Sequence, residues 1–258
     1  MDPATMLGIG IALGSILAMI VLEGASPMSV LLPAPMILVF GGSFAVSLAG
    51  GTLKDALGGL KSLPKAFVGK AKTSAGSIDT IVSLADRARR EGLLSLEDAA
   101  RDIDDEFLRS GLRSAIDGTD PEDLRTLLED RIHSKRVSDK TSYKFFHDMG
   151  GYAPTIGIVG TVISLVHVLE NLSDPENLGH MIAAAFVATL WGILSANVLW
   201  LPIGNRLKRL SELECSQMEI VLEGLLSVQA GANPRLVGER LRSLLPLSEQ
   251  QATEKEAA

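Results

Sequence analysis

Residues 152–166 read YAPTIGIVGTVISLV. The stretch is apolar enough to lie in lipid, yet it carries one proline, two glycines and three Ser/Thr hydroxyls. A helix that only faced lipid has no use for so many small and hydroxyl residues. Small residues let helix backbones approach closely, and hydroxyls can bond across a helix seam. The stretch therefore belongs to a membrane helix with a packed or water-lined face. Working outward from it, three further apolar spans emerge, so that the set is roughly 4–22, 29–50, 151–170 and 181–202. Each reaches the roughly 20 residues that a bilayer's hydrocarbon core requires. The first lacks a basic n-region and a small-x-small cleavage pattern, and it is read as a retained helix rather than a signal peptide.

Composition agrees with a split molecule. The 258 residues are 47% hydrophobic with mean hydropathy +0.27, too apolar for an ordinary soluble domain and too polar for a chain buried in lipid throughout. A formal charge of −7 argues against nucleic acid as a partner. The single cysteine, Cys215, can form no internal disulfide, and the four histidines show no metal-ligand spacing. All 24 Lys and Arg fall in 51–150 (17) and 203–258 (7), and none in the spans or their short connections. The positive-inside rule then places 51–150 and the C-terminal segment in the cytoplasm, and four spans bring the N-terminus there too.

The expected fold is an all-α membrane protein with four transmembrane helices, long helical cytoplasmic extensions and a helical cytoplasmic domain. Residues 1–50 form one membrane hairpin, 51–150 the cytoplasmic helical domain, 151–203 a second hairpin, and 204–258 a cytoplasmic helix and tail. Within 51–150, Ile81, Leu84, Ala85 and Ala88 mark one helix ending near Gly92. Ser95 is read as the cap of a second helix with Leu96, Ala99, Ile103 and Phe107 on one face. Asp120-Pro121 opens a third that runs unbroken to about 149, with Leu124, Leu127, Leu128 and Ile132 as its stripe. A helix from Asn205 continues to about 229, and 249–258 is polar and expected to be disordered.

No catalytic constellation appears at a membrane or pocket position. The Gly8-Ile-Gly-Ile-Ala-Leu-Gly14 segment is one residue off a dinucleotide loop and lies in an apolar span, so helix packing explains it better. The spans hold no carboxylate until Glu170, and their one ionisable group is His167, near the outer boundary, where an interfacial role is the simpler account. Gly157, Thr161 and Ser164 share a face, and Thr189 is flanked by Ala185, Ala188, Gly192 and Ala196. Packing explains the glycines and alanines, and a threonine can bond its own i−4 carbonyl. The alternative is a polar wall lining a cavity whose titrating group comes from another chain.

At these residues the chain resembles the MotA/PomA family of flagellar stator channel subunits, over nearly its whole length. The carriers are Gly8-Ile-Gly through Glu23-Gly-Ala-Ser-Pro27, Arg89-Arg-Glu-Gly-Leu-Leu-Ser-Leu-Glu97, Ala153-Pro-Thr-Ile-Gly-Ile-Val-Gly-Thr161, and Ala188-Thr-Leu-Trp-Gly-Ile-Leu194 followed by Pro202. The resemblance implies a non-enzymatic, pentameric ring in the cell membrane around a MotB-type partner. That partner has one membrane helix bearing the ion-accepting aspartate and a peptidoglycan-binding domain. It implies that Thr189 lies beside that aspartate, that Thr161 faces the same path, and that Pro154 and Pro202 mark its cytoplasmic end. It also implies that Arg89 and Glu97, with Arg90 and Asp98 as secondary charges, engage the rotor protein FliG. No cofactor is expected beyond the transported ion, protons with sodium as the alternative. Spacing alone would read Arg89 and Glu97 as solvated charges. Two rivals stay open: the ExbB/TolQ channels, which lack a hairpin before the cytoplasmic segment, and a self-contained transporter, which needs its own mid-membrane polar site.

Overall fold

The computed structural model of the chain describes residues 4–69, 74–172, 175–246 and 250. Among the described residues every regular element is helical, as the expected all-α class requires. The helices are α1 (Ala4–Leu22), α2 (Pro33–Met36), α3 (Gly42–Ala49), α4 (Leu53–Val68), α5 (Ser74–Glu91), α6 (Leu96–Arg101), α7 (Glu106–Ile116), α8 (Pro121–Glu170), α9 (Pro175–Leu194), α10 (Leu201–Gln229) and α11 (Pro234–Ser243). A π-helical turn, Ile37–Gly41, joins α2 to α3, and a second, Ser195–Trp200, joins α9 to α10.

The chain divides into two units. The first comprises Met1–Lys70 and Ser138–Leu210, the second Ala71–Val137 and Ser211–Ala258. Among the described residues, three helical stretches are long and apolar enough to cross a bilayer: Ala4–Leu22, the end of Pro121–Glu170, and Asn177–Gln229. The apolar stretch expected over 29–50 is helical only over Pro33–Ala49. Pro27 and Pro33 each start a helical turn there, and the 3₁₀ turn Pro27–Val30 takes up the residues before it. The break does not isolate that turn: the Trp191 indole N–H donates to the Val30 carbonyl at 2.6 Å.

In the first unit the core has two parts. Val39, Ala153 and Ala196 are fully enclosed, with Trp191 and Trp200 packed on them. Toward the polar end, Phe145, Phe146, Met149, Ile203 and Leu207 close on Ala56 and Ala66 of α4. In the second unit, Ile78, Ile81 and Leu84 of α5 and Leu108 and Leu112 of α7 pack with Leu124, Leu128 and Ile132 of α8 and Val221 and Leu225 of α10. Leu127, expected in the same stripe, is 39% exposed, because the buried residues recur at i, i+4 and i+8 and leave it on the stripe's flank.

The helix expected from Ser95 through Phe107 is two helices. Ser95 does not cap α6; its hydroxyl donates instead to the Gly92 carbonyl at 2.7 Å. The chain leaves α6 at Asp102, and Asp105 starts α7 by accepting from the N–H groups of Phe107 and Leu108. A carboxylate at that point offers the backbone a better arrangement than continued helix. Asp120 accepts from Glu122 N–H at 2.9 Å and opens α8 at Pro121 as expected, and α8 then continues for 50 residues to Glu170. The close packing expected of Gly8 and Gly14 is absent from this chain: a Cβ at either would meet nothing within 4 Å, and Ile20 alone is buried in α1. Most of residues 249–258, expected to be disordered, lies outside the described residues.

Candidate functional site

The site starts from glycines that let α8 and α9 touch. A Cβ on Gly157 would stand 2.7 Å from the Ala188 carbonyl oxygen, and one on Gly192 2.7 Å from the Ala153 carbonyl oxygen. Only glycine fits at either position, and the Gly157 and Gly192 Cα atoms are drawn together as a result. Gly160 adds a third close approach, to Leu38 and the Ala188 methyl. Pro154 sits beside Gly192 at this crossing.

One turn along the seam, the Thr161 and Thr189 hydroxyl oxygens lie 2.5 Å apart. Thr161 Oγ1 also lies 2.9 Å from the Ala185 carbonyl and 3.2 Å from its own i−4 carbonyl at Gly157. Carbonyls can only accept, so the single Thr161 hydrogen goes to one of them. Thr189 is then the donor in the pair, and its oxygen keeps lone pairs for a further donor or a cation. Thr161 thus lies within reach of its own helix's carbonyl, as a packed threonine does, and of α9 across the seam. Both threonines are half-buried.

Pro202 stands apart from this cluster. With Asn197, Val198 and Arg206 it lines a cleft of roughly 370 Å³ against Ala4, Thr5, Gly8, Ile9 and Ala12 of α1. The π-turn before it has a local cause: proline lacks an N–H, and its ring crowds the carbonyl four residues back, at Val198. Widening the turn relieves that crowding, and Leu201 N–H bonds the Ala196 carbonyl, five residues back. His167 is exposed, 3.9 Å from Glu170, and is not part of the threonine site. Among the described residues no His/Cys/Asp/Glu group is arranged to hold a metal.

In the second unit, α5 ends on Arg89 and Arg90 and α6 starts beside Glu97 and Asp98, with a sharp turn between them. Gly92 makes the turn at φ +84, where a side chain would be strained. All four charged residues are exposed, as is Leu94 at 76%. They are not equally available. Arg90 pairs with Asp86, while Arg101 lies 3.5 Å from Glu97 and 3.8 Å from Asp98. Arg89 has no such ion pair among the described residues.

Residues 99–220 match the model of the MotA/TolQ/ExbB proton channel family. Motility protein A of Bacillus subtilis (strain 168) is 34% identical over 97% of this chain and 93% of its own length. The C. jejuni MotAB structure superposes with a TM-score of 0.91 at 28% identity, covering 96% of this chain and 97% of that one. The Bacillus subtilis flagellar MotAB stator complex does so at 0.90 and 33%, covering 98% and 99%. This chain belongs to the MotA/PomA family.

For a MotA/PomA-family chain, the threonine pair, the glycine crossing and the charged turn were all legible as residues, but their partners were not. Asp86 and Arg101 were missed as the groups that answer Arg90 and Glu97, although i,i+4 spacing signalled both. The Ala185 carbonyl was missed because backbone acceptors leave no mark in a sequence. The π-turn at Ser195–Trp200 had one trace, a proline deep in an apolar helix. This membrane channel subunit is a stator component of the flagellar motor.

Proposed function

We propose that the Thr161–Thr189 seam is one wall of an inward ion path that is completed by a carboxylate from a MotB-type partner. One observation carries this reading: a half-buried hydroxyl pair with acceptor capacity to spare lies in spans that hold no Asp or Glu before Glu170. Hydroxyls can relay a proton or hold its water, but they cannot store the charge. The MotAB complexes whose chains this one resembles support such a partner and an assembly of several copies. We assign protons as the coupling ion, a pentameric ring around two partner helices, and a peptidoglycan anchor on the partner. The chain performs no catalysis in this reading. The distribution of Lys and Arg supports a four-span arrangement in the cell membrane, with both termini and the 51–150 segment in the cytoplasm. The exposed charges at Arg89, Arg90, Glu97 and Asp98 then face FliG. The four segments 1–50, 51–150, 151–203 and 204–258 divide into hairpin, rotor-facing domain, path-lining hairpin and stalk with tail.

The test is ion flux into vesicles holding the full-length chain with and without its partner. The chain alone is expected to conduct at background, and flux to appear only with a partner whose membrane aspartate is intact. Conduction by the chain alone would overturn the reading.

A further inference from the structure

Ala4, Gly8 and Ala12 stand at i, i+4 and i+8 and give α1 a stripe of small residues on one face. Stripes of this kind ordinarily bring helices into close contact. Here α1 packs on the Ser195–Trp200 turn, yet a Cβ on Gly8 would meet nothing within 4 Å. The stripe lines the cleft that ends at Pro202 and Arg206 and does not close it.

The cleft changes character along its length. Helix α1 carries no charged residue, whereas Arg206 is the first Lys or Arg after Lys144 and stands where the apolar sequence stops. In the membrane arrangement proposed above, α1 leads away from the cytoplasm and the segment from Asn197 to Arg206 leads back to it. Ala4 and Arg206 therefore mark the cytoplasmic end of the cleft, and Ala12 and Val198 the end nearer the bilayer centre. From Ala4 to Ala12 is about 12 Å of helix. Asn197 donates to the Ile193 carbonyl of its own helix at 2.8 Å and leaves the deep end to Ile9, Ala12 and Val198. At the shallow end the half-buried Arg206 guanidinium donates to the Gly69 carbonyl at 3.4 Å. A guanidinium has five N–H donors in a fixed fork, enough to serve a carbonyl and a phosphate together.

Size selects among the occupants. A helix about 10 Å across fills roughly 900 Å³ over that length, more than twice the roughly 370 Å³ of the cleft. Water is a poor match for so apolar a lining. A single acyl chain with a phosphate at its shallow end fits both the width and the change of polarity. A neighbouring copy in the ring has another side of α1 to meet, where Gly10 and Gly14 are equally uncrowded.

We propose that this cleft holds one anionic phospholipid of the cytoplasmic leaflet, with its phosphate on Arg206 and an acyl chain along Gly8, Ile9, Ala12 and Val198. The lipid is then a structural component that fills the gap between α1 and the turn before Pro202. The proposal rests on the membrane arrangement given under the proposed function, and it adds a lipid site to it.

The test uses phosphatidylglycerol with a photoreactive diazirine in its acyl chain, in phosphatidylcholine vesicles holding the full-length chain and its partner. Labelled residues are mapped by peptide mass spectrometry. Labelling is expected at Ile9 and Val198, and unlabelled phosphatidylglycerol should displace it about fivefold better than phosphatidylcholine. In Arg206→Gln the two lipids should compete equally. Gly8→Leu puts a side chain into the open space and should abolish labelling at Val198. Ile37, exposed on another helix, is the control for contact with bulk lipid and should be labelled in every variant. Labelling of Ile37 without Val198, the outcome if a protein chain fills the cleft, overturns the proposal and leaves the membrane arrangement standing. Labelling of neither overturns both. Equal competition by the two lipids in the unsubstituted chain, or undiminished Val198 labelling in Gly8→Leu, overturns the proposal as well.

Discussion

The Thr161 and Thr189 hydroxyls share one short hydrogen bond between α8 and α9, and the direction of that bond follows from the company Thr161 keeps. Thr161 spends its hydrogen on a carbonyl, Thr189 donates to Thr161, and the outward-directed capacity of the pair is lone-pair capacity on Thr189. In the proposed function, that capacity is where a proton donor or a cation from outside the chain would be received.

Thr189→Val keeps the shape and removes the donor. Losing one such bond costs about 0.5–1.5 kcal/mol, so the protein should still assemble and remain at normal membrane levels. Motility should be strongly reduced. Thr189→Ser keeps the hydroxyl and should retain most of it. Swimming speed and size-exclusion profile of the two variants check this, and normal swimming of Thr189→Val would refute the role.

The glycines divide sharply by what surrounds them. Gly157→Ala drives a methyl to within 2.7 Å of a backbone carbonyl, and a backbone cannot step aside as a side chain can. Overpacking of this kind costs about 1–3 kcal/mol, and the expected result is a lower thermal midpoint in detergent and loss of assembly. Gly10→Ala meets nothing within 4 Å in this chain and should leave the monomer's stability unchanged or slightly raised. If the two behave alike, the close crossing of α8 and α9 is not what holds the hairpin.

Much of this was legible because it rests on local rules. Asp120-Pro121 announced the start of α8, Gly92 the end of α5, and hydropathy the apolar spans. The candidate threonines were legible by the small residues around them. What stayed hidden needed tertiary information. The break at Asp102–Asp105 followed from a carboxylate choosing backbone donors ahead of it, a contest that periodicity cannot score. The glycines of α1 looked like a packing motif, yet α1 finds no close neighbour for them in its own chain.

His147 gives the stability of the first unit a pH dependence. It packs on Gly204 and meets Tyr143 edge to face. Burial lowers its pKa, Lys208 lowers it further, and Asp148 opposes both. The folded chain therefore binds this proton less readily than the unfolded chain, whose value is near 6.5. Stability is complete above that value and falls as pH drops through the window below it. The thermal midpoint should decline below about pH 6.5, and His147→Gln should decline less. An identical pH profile for both would remove His147 as the cause.

Orientation is checked from outside intact cells. In a Cys215→Ala background, Ser26→Cys lies in the short exposed turn after α1 and should react with an impermeant thiol reagent. Ser83→Cys, exposed on α5, should react only after the membrane is opened. Labelling of Ser83→Cys in intact cells would reverse the arrangement derived from the Lys and Arg distribution.

The rotor-facing role proposed for the charged turn is separable from ion flow by mutation, and the pairing around the turn ranks its members. Arg90 is answered by Asp86, and Glu97 shares Arg101 with Asp98, whereas Arg89 is the positive charge least committed within its own unit. Arg89→Ala should therefore slow swimming more than Arg90→Ala. Exposed single pairs contribute little across an interface, so neither substitution should abolish motility alone. Reversal is harsher because it converts attraction into repulsion at each encounter with the rotor. Arg89→Glu with Glu97→Lys should impair swimming severely while membrane levels, partner binding and ion flux stay normal. The Glu97→Lys change also sets a second cation against Arg101, so Arg101→Glu should be added as a control for local repulsion. A charge reversal on the rotor protein should restore part of the swimming. The rotor-facing role fails if the double reversal swims normally, or if ion flux falls in step with speed.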